Sequence, residues 1–170
     1  MAKVGKENIN PLTVKGSFAG AVGLCQFMPS NILKYGVDHD KDGSVRLRSS
    51  AEDALASVAN YLMQEGWNAS LPITWPCRVE SAAAKQLYTG GIVTNTTIEK
   101  AIIAGVEIEA PVSASPQTPV LLVKLEIPGG CLSRLGTENF AALLHYNRSY
   151  FYAETVRELA LEIAPSLFSD

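Results

Sequence analysis

Cysteine and histidine are scarce in this 170-residue chain: three Cys, two His, and no Cys-x-x-Cys spacing. A zinc finger or a disulfide framework is therefore not expected, since each needs clustered ligands or an even set of paired thiols. An oxidising compartment could still join two of Cys25, Cys77 and Cys131 and leave the third over. Positive charge is also short, with 14 Lys and Arg against 17 Asp and Glu and a net charge of −3. That disfavours a nucleic-acid surface, which displaces phosphate counterions with clustered cations. No stretch reaches the roughly 18 apolar residues of a membrane span. The opening MAKVGKENIN lacks the apolar core of an export signal. Repeats and low-complexity segments are missing too. What remains, 47% hydrophobic and 18% charged, is the composition of a globular chain. Its length suits one compact domain, or one domain with a small lobe.

Local signals divide the chain in three. Near the start, Pro29 suits the first turn of a short helix through Tyr35, with Gly36 as its C-terminal cap. Ser49 or Ser50 can cap a longer helix, because Glu52 and Asp53 follow at the capping-box distance. Its apolar face would be Ala51, Ala54, Leu55, Val58, Ala59 and Leu62, ending at Gly66. From Trp67 to about Cys131, prolines and glycine pairs break the chain into short pieces. Thr94 to Gly105 can hold a helix there, and Val120 to Leu125 reads as a strand. From Asn139 the helical pattern returns, interrupted at Asn147-Arg148-Ser149.

Three stretches carry candidate chemistry. The glycine run Gly16-x-x-x-Gly20-x-x-Gly23 fits neither the dinucleotide fingerprint nor the phosphate loop. Its spacing serves equally a tight backbone crossing or a ligand brought against the backbone, with Ser17 and Gln26 as hydrogen-bonding groups. The second stretch puts Asp38, Asp40 and Asp42 at positions one, three and five of an EF-hand loop, with Gly43 at six and Ser44 at seven. Position twelve is Ser49 where a bidentate Glu is usual, so a cation would be held weakly; the alternative is a solvated Asp-rich turn. The third is His145-Tyr146-Asn147-Arg148-Ser149-Tyr150-Phe151-Tyr152, where rings beside amides suit a carbohydrate groove as well as a core helix with tyrosine tips.

Together these stretches carry a resemblance. GSFAGAVGLCQFMPS, YGVDHDKDG, SAEDALASVANYLMQEGW and NFAALLHYNRSYFYA, in this order, resemble the membrane-bound lytic murein transglycosylase B family. TIEKAIIAGVEIEAP and TPVLLVKLEI resemble its small accessory lobe, so nearly the whole chain is covered. The resemblance implies an α+β, mainly α fold: an incomplete lysozyme-like helical domain over residues 1–66 and 134–170, with a small α/β lobe inserted at 67–133. It implies cleavage of peptidoglycan between N-acetylmuramic acid and N-acetylglucosamine, leaving a 1,6-anhydromuramic end. Ser17, Gln26, Tyr61, Tyr146 and Asn147 would hold the saccharide. Asp38, Asp40, Asp42, Ser44 and Ser49 would form a structural Ca2+ loop, with no cofactor for the chemistry. Cys25 reads as packing. A periplasmic or envelope location follows from the family.

In that family one Glu donates a proton to the glycosidic oxygen and then deprotonates the muramoyl C6 hydroxyl, so the substrate supplies its own nucleophile. The family places this Glu well before the glycine run, in a Glu-Ser or Glu-Thr helix, so this chain is expected to lack it and to be inactive alone. Glu80-Ser81 lacks the following glycines, Glu7 is too close to Gly16, and Glu154 reads as a helix-face carboxylate. The competing reading is a catalytically silent peptidoglycan-binding module; a calcium-responsive structural protein is a third. Self-association through helices left uncovered is expected.

Overall fold

The computed structural model describes residues 15–164, and the chain divides into two compact units, Met1–Gln64 and Glu65–Asp170.

In the first unit, α1 (Pro29–Tyr35) starts with Pro29 in its first turn, where a missing N–H costs nothing. Gly36 caps α1 as expected, but not by the left-handed route: its φ is −60° and its N–H donates to Ile32 O. Space selects glycine here, since a Cβ would sit 2.5 Å from Ile32 O and 3.1 Å from Val45. The longer α2 (Ala51–Gln64) has its Asp53 N–H capped by Ser50 Oγ at 3.1 Å. Gly66, at φ +98°, follows it in the left-handed conformation that glycine favours.

The buried face of α2 is not the expected one. Leu55 is exposed, whereas Asp53, Ala54, Ser57 and Tyr61 are buried. Polar partners turn the helix: Ser57 Oγ accepts from Val37 N–H, and Asp53 accepts from the N–H groups of His39 and Arg46. The apolar core of this unit is small and aromatic. Phe27, Tyr35 and Tyr61 pack with centroids 4.6 to 6.4 Å apart, beside buried Val45 and Leu47.

The second unit overturns the expectation of a mainly α chain. It is built on a five-stranded sheet, every pair antiparallel, made of β1 (Thr74–Val79), β2 (Thr96–Thr97), β3 (Val106–Ile108), β4 (Pro119–Ile127) and β5 (Gly130–Gly136). The spatial order is β2-β4-β5-β1-β3. Among the described residues four helices accompany it: α3 (Ala82–Lys85), α4 (Ile98–Ile103), α5 (Glu138–Tyr146) and α6 (Tyr150–Ile163).

Strand β4 confirms the Val120–Leu125 signal and extends it. Four consecutive buried residues, Val120–Val123, show that this half is covered on both faces. Val120 and Leu122 join Trp75, Cys77, Ile98, Ala101 and Leu135 in one core cluster, to which α3 and α4 contribute. On the opposite face Leu121 and Phe140 both close on Gly136, where a Cβ would lie 3.0 to 3.2 Å from their side chains. The β4–β5 hairpin turns at Pro128-Gly129, with Gly129 at φ +89°, the geometry of a type II turn.

Strands β1 and β5 were hidden in the sequence by Pro76 and by glycines at both ends of β5. Proline breaks a central ladder by removing a donor. Here Pro76 still pairs with Arg134 while its carbonyl accepts from Glu109 N–H. The expected Thr94–Gly105 helix shortens to α4, capped by Thr97, with β2 taking the residues before it.

Candidate functional site

The glycine-rich loop is held by its own backbone. Val22 and Phe27 exchange N–H···O bonds of 2.9 and 3.1 Å, and Leu24 N–H donates to Leu47 O at 2.8 Å. Gly23 (φ +77°) is required twice over: its conformation is left-handed, and a Cβ would meet Leu47 O at 2.6 Å. Gly20 (φ +90°) faces open space, so only conformation selects it. Ser17 Oγ accepts from Ala21 N–H at 3.0 Å.

Gln26 is itself left-handed, at φ +49°, unusual outside glycine. Its Nε2 donates to Gly23 O at 2.9 Å, a bond that leaves the amide oxygen unused. The flanking Cys25 and Phe27 are buried while Gln26 is exposed, so the turn presents one amide on a rigid support. Burial pushes the Cys25 thiol up, which fits packing and not nucleophilic chemistry. Tyr61 stands behind this loop, 4% exposed in the aromatic core.

The acidic loop folds as a cation loop would. Among the described residues, Asp38, Asp40 and Asp42 are the group of metal-type side chains brought together, with oxygens within 4.8 Å of one another. Gly43, at φ +93°, makes the sharp turn and donates its N–H to Asp38 Oδ2 at 2.9 Å. Asp38 Oδ1 is buried with no hydrogen-bond partner among the described residues, an oxygen that a hard cation would satisfy. Desolvation and the nearby charges of Asp53 and Asp38 push the Asp40 carboxyl up, a repulsion that a cation would relieve. Two features weaken the fit: Asp42 is ion-paired with Arg46, and Ser49 offers only a hydroxyl at position twelve.

Asp53 is the site residue that composition did not reveal. It is fully buried, and its two oxygens accept from His39 N–H (2.9 Å) and Arg46 N–H (2.8 Å), fastening the acidic loop to α2. Burial alone would raise its carboxyl. Hydrogen bonds from the Arg46, His39 and Asp40 backbone outweigh that and hold it below the usual carboxylate value. The only sequence signal was its place three residues after the capping Ser50.

In the second unit the aromatic stretch becomes the α5–α6 corner. Asn147 is the exposed C-cap of α5, and Ser149 caps α6. Tyr146 and Tyr152 stack at 6.2 Å with their planes 7° apart. Tyr150 donates to Gly91 O at 2.6 Å and packs on Phe140. Burial pushes the Tyr150 and Tyr152 hydroxyls up, so both remain neutral donors across physiological pH. His145 Nδ1 lies 3.0 Å from Glu65. Ser17, Gln26 and Tyr61 therefore share the first unit, and Tyr146 and Asn147 the second.

The acids weighed for catalysis have other surroundings. Glu154 is buried between Arg134 (2.9 Å) and Arg157 (3.2 Å). Glu80 is exposed after β1, and Glu7 lies outside the described residues.

The chain matches the transglycosylase SLT domain family over residues 1–161, and it belongs to that family. Membrane-bound lytic murein transglycosylase B of Escherichia coli K12 is 33% identical over 158 residues, 93% of this chain and 42% of that protein. Among solved structures, Pseudomonas aeruginosa SltB1 superposes with a TM-score of 0.84 at 32% identity, over 94% of this chain and 52% of its own. Escherichia coli Slt35 in complex with calcium gives 0.78 at 31%, over 95% and 50%. Pseudomonas aeruginosa SltB3 in complex with NAG-anhNAM-pentapeptide gives 0.76 at 31%, over 92% and 42%. The chain thus spans about half the length, or less, of the relatives it matches.

Proposed function

We propose that this chain holds peptidoglycan glycan strands for lytic transglycosylase chemistry. The observation that carries the reading is membership of the transglycosylase SLT family over residues 1–161. The exposed amide of Gln26 on its rigid turn supports it. In this reading Ser17 and Gln26 hydrogen-bond the saccharide, Tyr146 and Asn147 add a ring and an amide, and Tyr61 braces the loop from behind. Residues 1–66 and 134–170 carry the glycan contacts, and 67–133 form the accessory lobe. The bond at stake joins N-acetylmuramic acid to N-acetylglucosamine, and the product carries a 1,6-anhydro ring; the SltB3 complex with an anhydro-muropeptide supports that product class.

The described residues hold and orient the strand; they do not supply the proton. Glu154, the buried acid nearest the aromatic corner in sequence, is neutralised by two arginines, which favours a silent binding role for the isolated chain. The test is to mix the purified chain with murein sacculi and measure both pelleting and released anhydromuropeptides. Pelleting without release is expected; absence of pelleting would refute the reading.

The acidic loop would hold Ca2+ through Asp38, Asp40 and Asp42, with the Ser44 carbonyl and Ser49 completing it. The ion would contribute structure and no chemistry. With Ser49 at position twelve, the dissociation constant should fall in the weak, roughly 0.1–1 mM class. Calorimetry should show Ser49→Glu tightening binding about tenfold or more, the gain expected from a bidentate ligand. No calcium heat in either protein would remove the cation role. A periplasmic or envelope location goes with this substrate, and no helix of the described residues is long and apolar enough to cross a membrane. Exposed Leu33, Leu55 and Met63 support self-association of the isolated chain.

A further inference from the structure

We propose that the second unit carries a docking slot for an extended acidic peptide segment of a partner protein, in the fork where β1 leaves β5. Strand β1 pairs with β5 only at Thr74, Trp75 and Pro76, whose partners are Gly136, Leu135 and Arg134. From Cys77 to Val79 its partner is β3 alone. Strand β5 continues along β4 as far as Gly130. No ladder pair joins Cys77–Val79 to Cys131–Ser133, so each half-strand is paired on one side only. Pro76 sits at the branch, where a residue without an N–H cannot continue a two-sided ladder.

A concavity of about 760 Å³ opens at this fork, lined by both half-strands together with Lys85, Tyr88 and Lys124. Successive residues of a strand turn their N–H and C=O groups to alternate edges, so both half-strands direct part of their backbone into the opening. An unpaired edge is a template for a further strand, and here two edges face one slot.

Charge selects the occupant. The lining carries four basic side chains, Arg78, Lys85, Lys124 and Arg134, against the acidic Glu80 and Glu109. Arg78 is neutralised by Glu109, and Arg134 by Glu154. Lys85 has no ion-pair partner among the described residues. Lys124 pairs only with Glu126, two residues along its own strand and 83% exposed, a contact worth little in water. These two lysines are the cations left for acidic side chains, and they outnumber Glu80, the exposed lining carboxylate without an ion-pair partner among the described residues, two to one. The hydrogen-bonded hydroxyls of Tyr88 and Ser133, 2.7 Å apart, can act as donor or acceptor to a bound backbone. Neither the glycan contacts nor the cation loop uses any of these residues.

Cys131 is exposed in the lining, while Cys25 and Cys77 are buried, and burial pushes the Cys77 thiol up to about 12. A maleimide should therefore report on the slot through Cys131. The experiment uses the 170-residue chain and three fluorescent hexapeptides: alternating Glu and Val, alternating Lys and Val, and the Glu-Val peptide N-methylated at alternate amides. The Glu-Val peptide is expected to bind about tenfold or more tightly than either control, and the Lys85→Glu, Lys124→Glu double variant to lose about tenfold. Bound peptide should also slow maleimide reaction at Cys131, which needs no mutation. Equal binding of the Lys-Val or N-methylated peptide, no binding of the Glu-Val peptide, or an unchanged Cys131 rate would overturn the proposal. A failure here leaves glycan pelleting untouched, so the two readings are separable.

Discussion

At the scale of single residues, two constraints shape the first unit: a glycine with no room for a side chain, and a carboxylate with no water. Gly23 combines φ +77° with a Leu47 carbonyl 2.6 Å from where a Cβ would sit, whereas Gly20 has only the positive φ. Gly20→Ala should cost about 1–2 kcal/mol, the left-handed penalty, and Gly23→Ala clearly more because backbone must shift as well. Chemical denaturation of the two variants checks the order. Asp53 gives a second prediction. Its folded carboxyl is held low, so its contribution is complete above the ordinary value near 4 and fades as pH falls through the folded value. Asp53→Asn should lose about 1.5–3 kcal/mol at neutral pH, the worth of charge-assisted bonds. The gap in Tm between the two proteins should stay constant from about pH 7 to 5 and narrow below about pH 4.

At the scale of elements, what could be read from the sequence follows from how each segment is buried. α1 and β4 were legible because proline placement and a β-branched apolar run act locally. The face of α2 was misread because its inward residues, Asp53 and Ser57, are polar and bonded to a loop 7–20 positions away, which hydropathy cannot register. β1 and β5 were missed because Pro76 and the flanking glycines are read as breaks until the partner strand is known. The acidic loop was recognisable from spacing alone; its anchor was not. A similar long-range anchor closes the second unit. Buried Asn139, on α5, accepts from Asn68 N–H and donates to Asn68 O and Leu71 O at 2.7 to 2.9 Å. Asn139→Ala strands those three backbone groups and should destabilise the fold by about 2–4 kcal/mol, read as a shift in denaturation midpoint with unchanged slope.

At the scale of the whole molecule, the residues proposed to hold a saccharide are divided between two compact units and those proposed for a cation lie in the first, with an antiparallel sheet where a mostly helical body was expected. The glycine run that opens the described chain is a rigid turn that exposes one amide, and the aromatic corner exposes another at Asn147. Of the acids the sequence offered, Glu154 is committed to Arg134 and Arg157, and Glu80 is exposed after β1. The central claim is the proposed one, that the chain holds glycan strands without cutting them. Its most direct measurement is co-sedimentation with purified peptidoglycan, comparing the natural chain with Gln26→Ala, Asn147→Ala and the double variant, while the supernatant is assayed for anhydromuropeptides. The account predicts that the natural chain pellets, each single variant pellets less, the double variant stays soluble, and no anhydromuropeptide appears; equal pelleting of all four proteins, or product release by the chain alone, would contradict it.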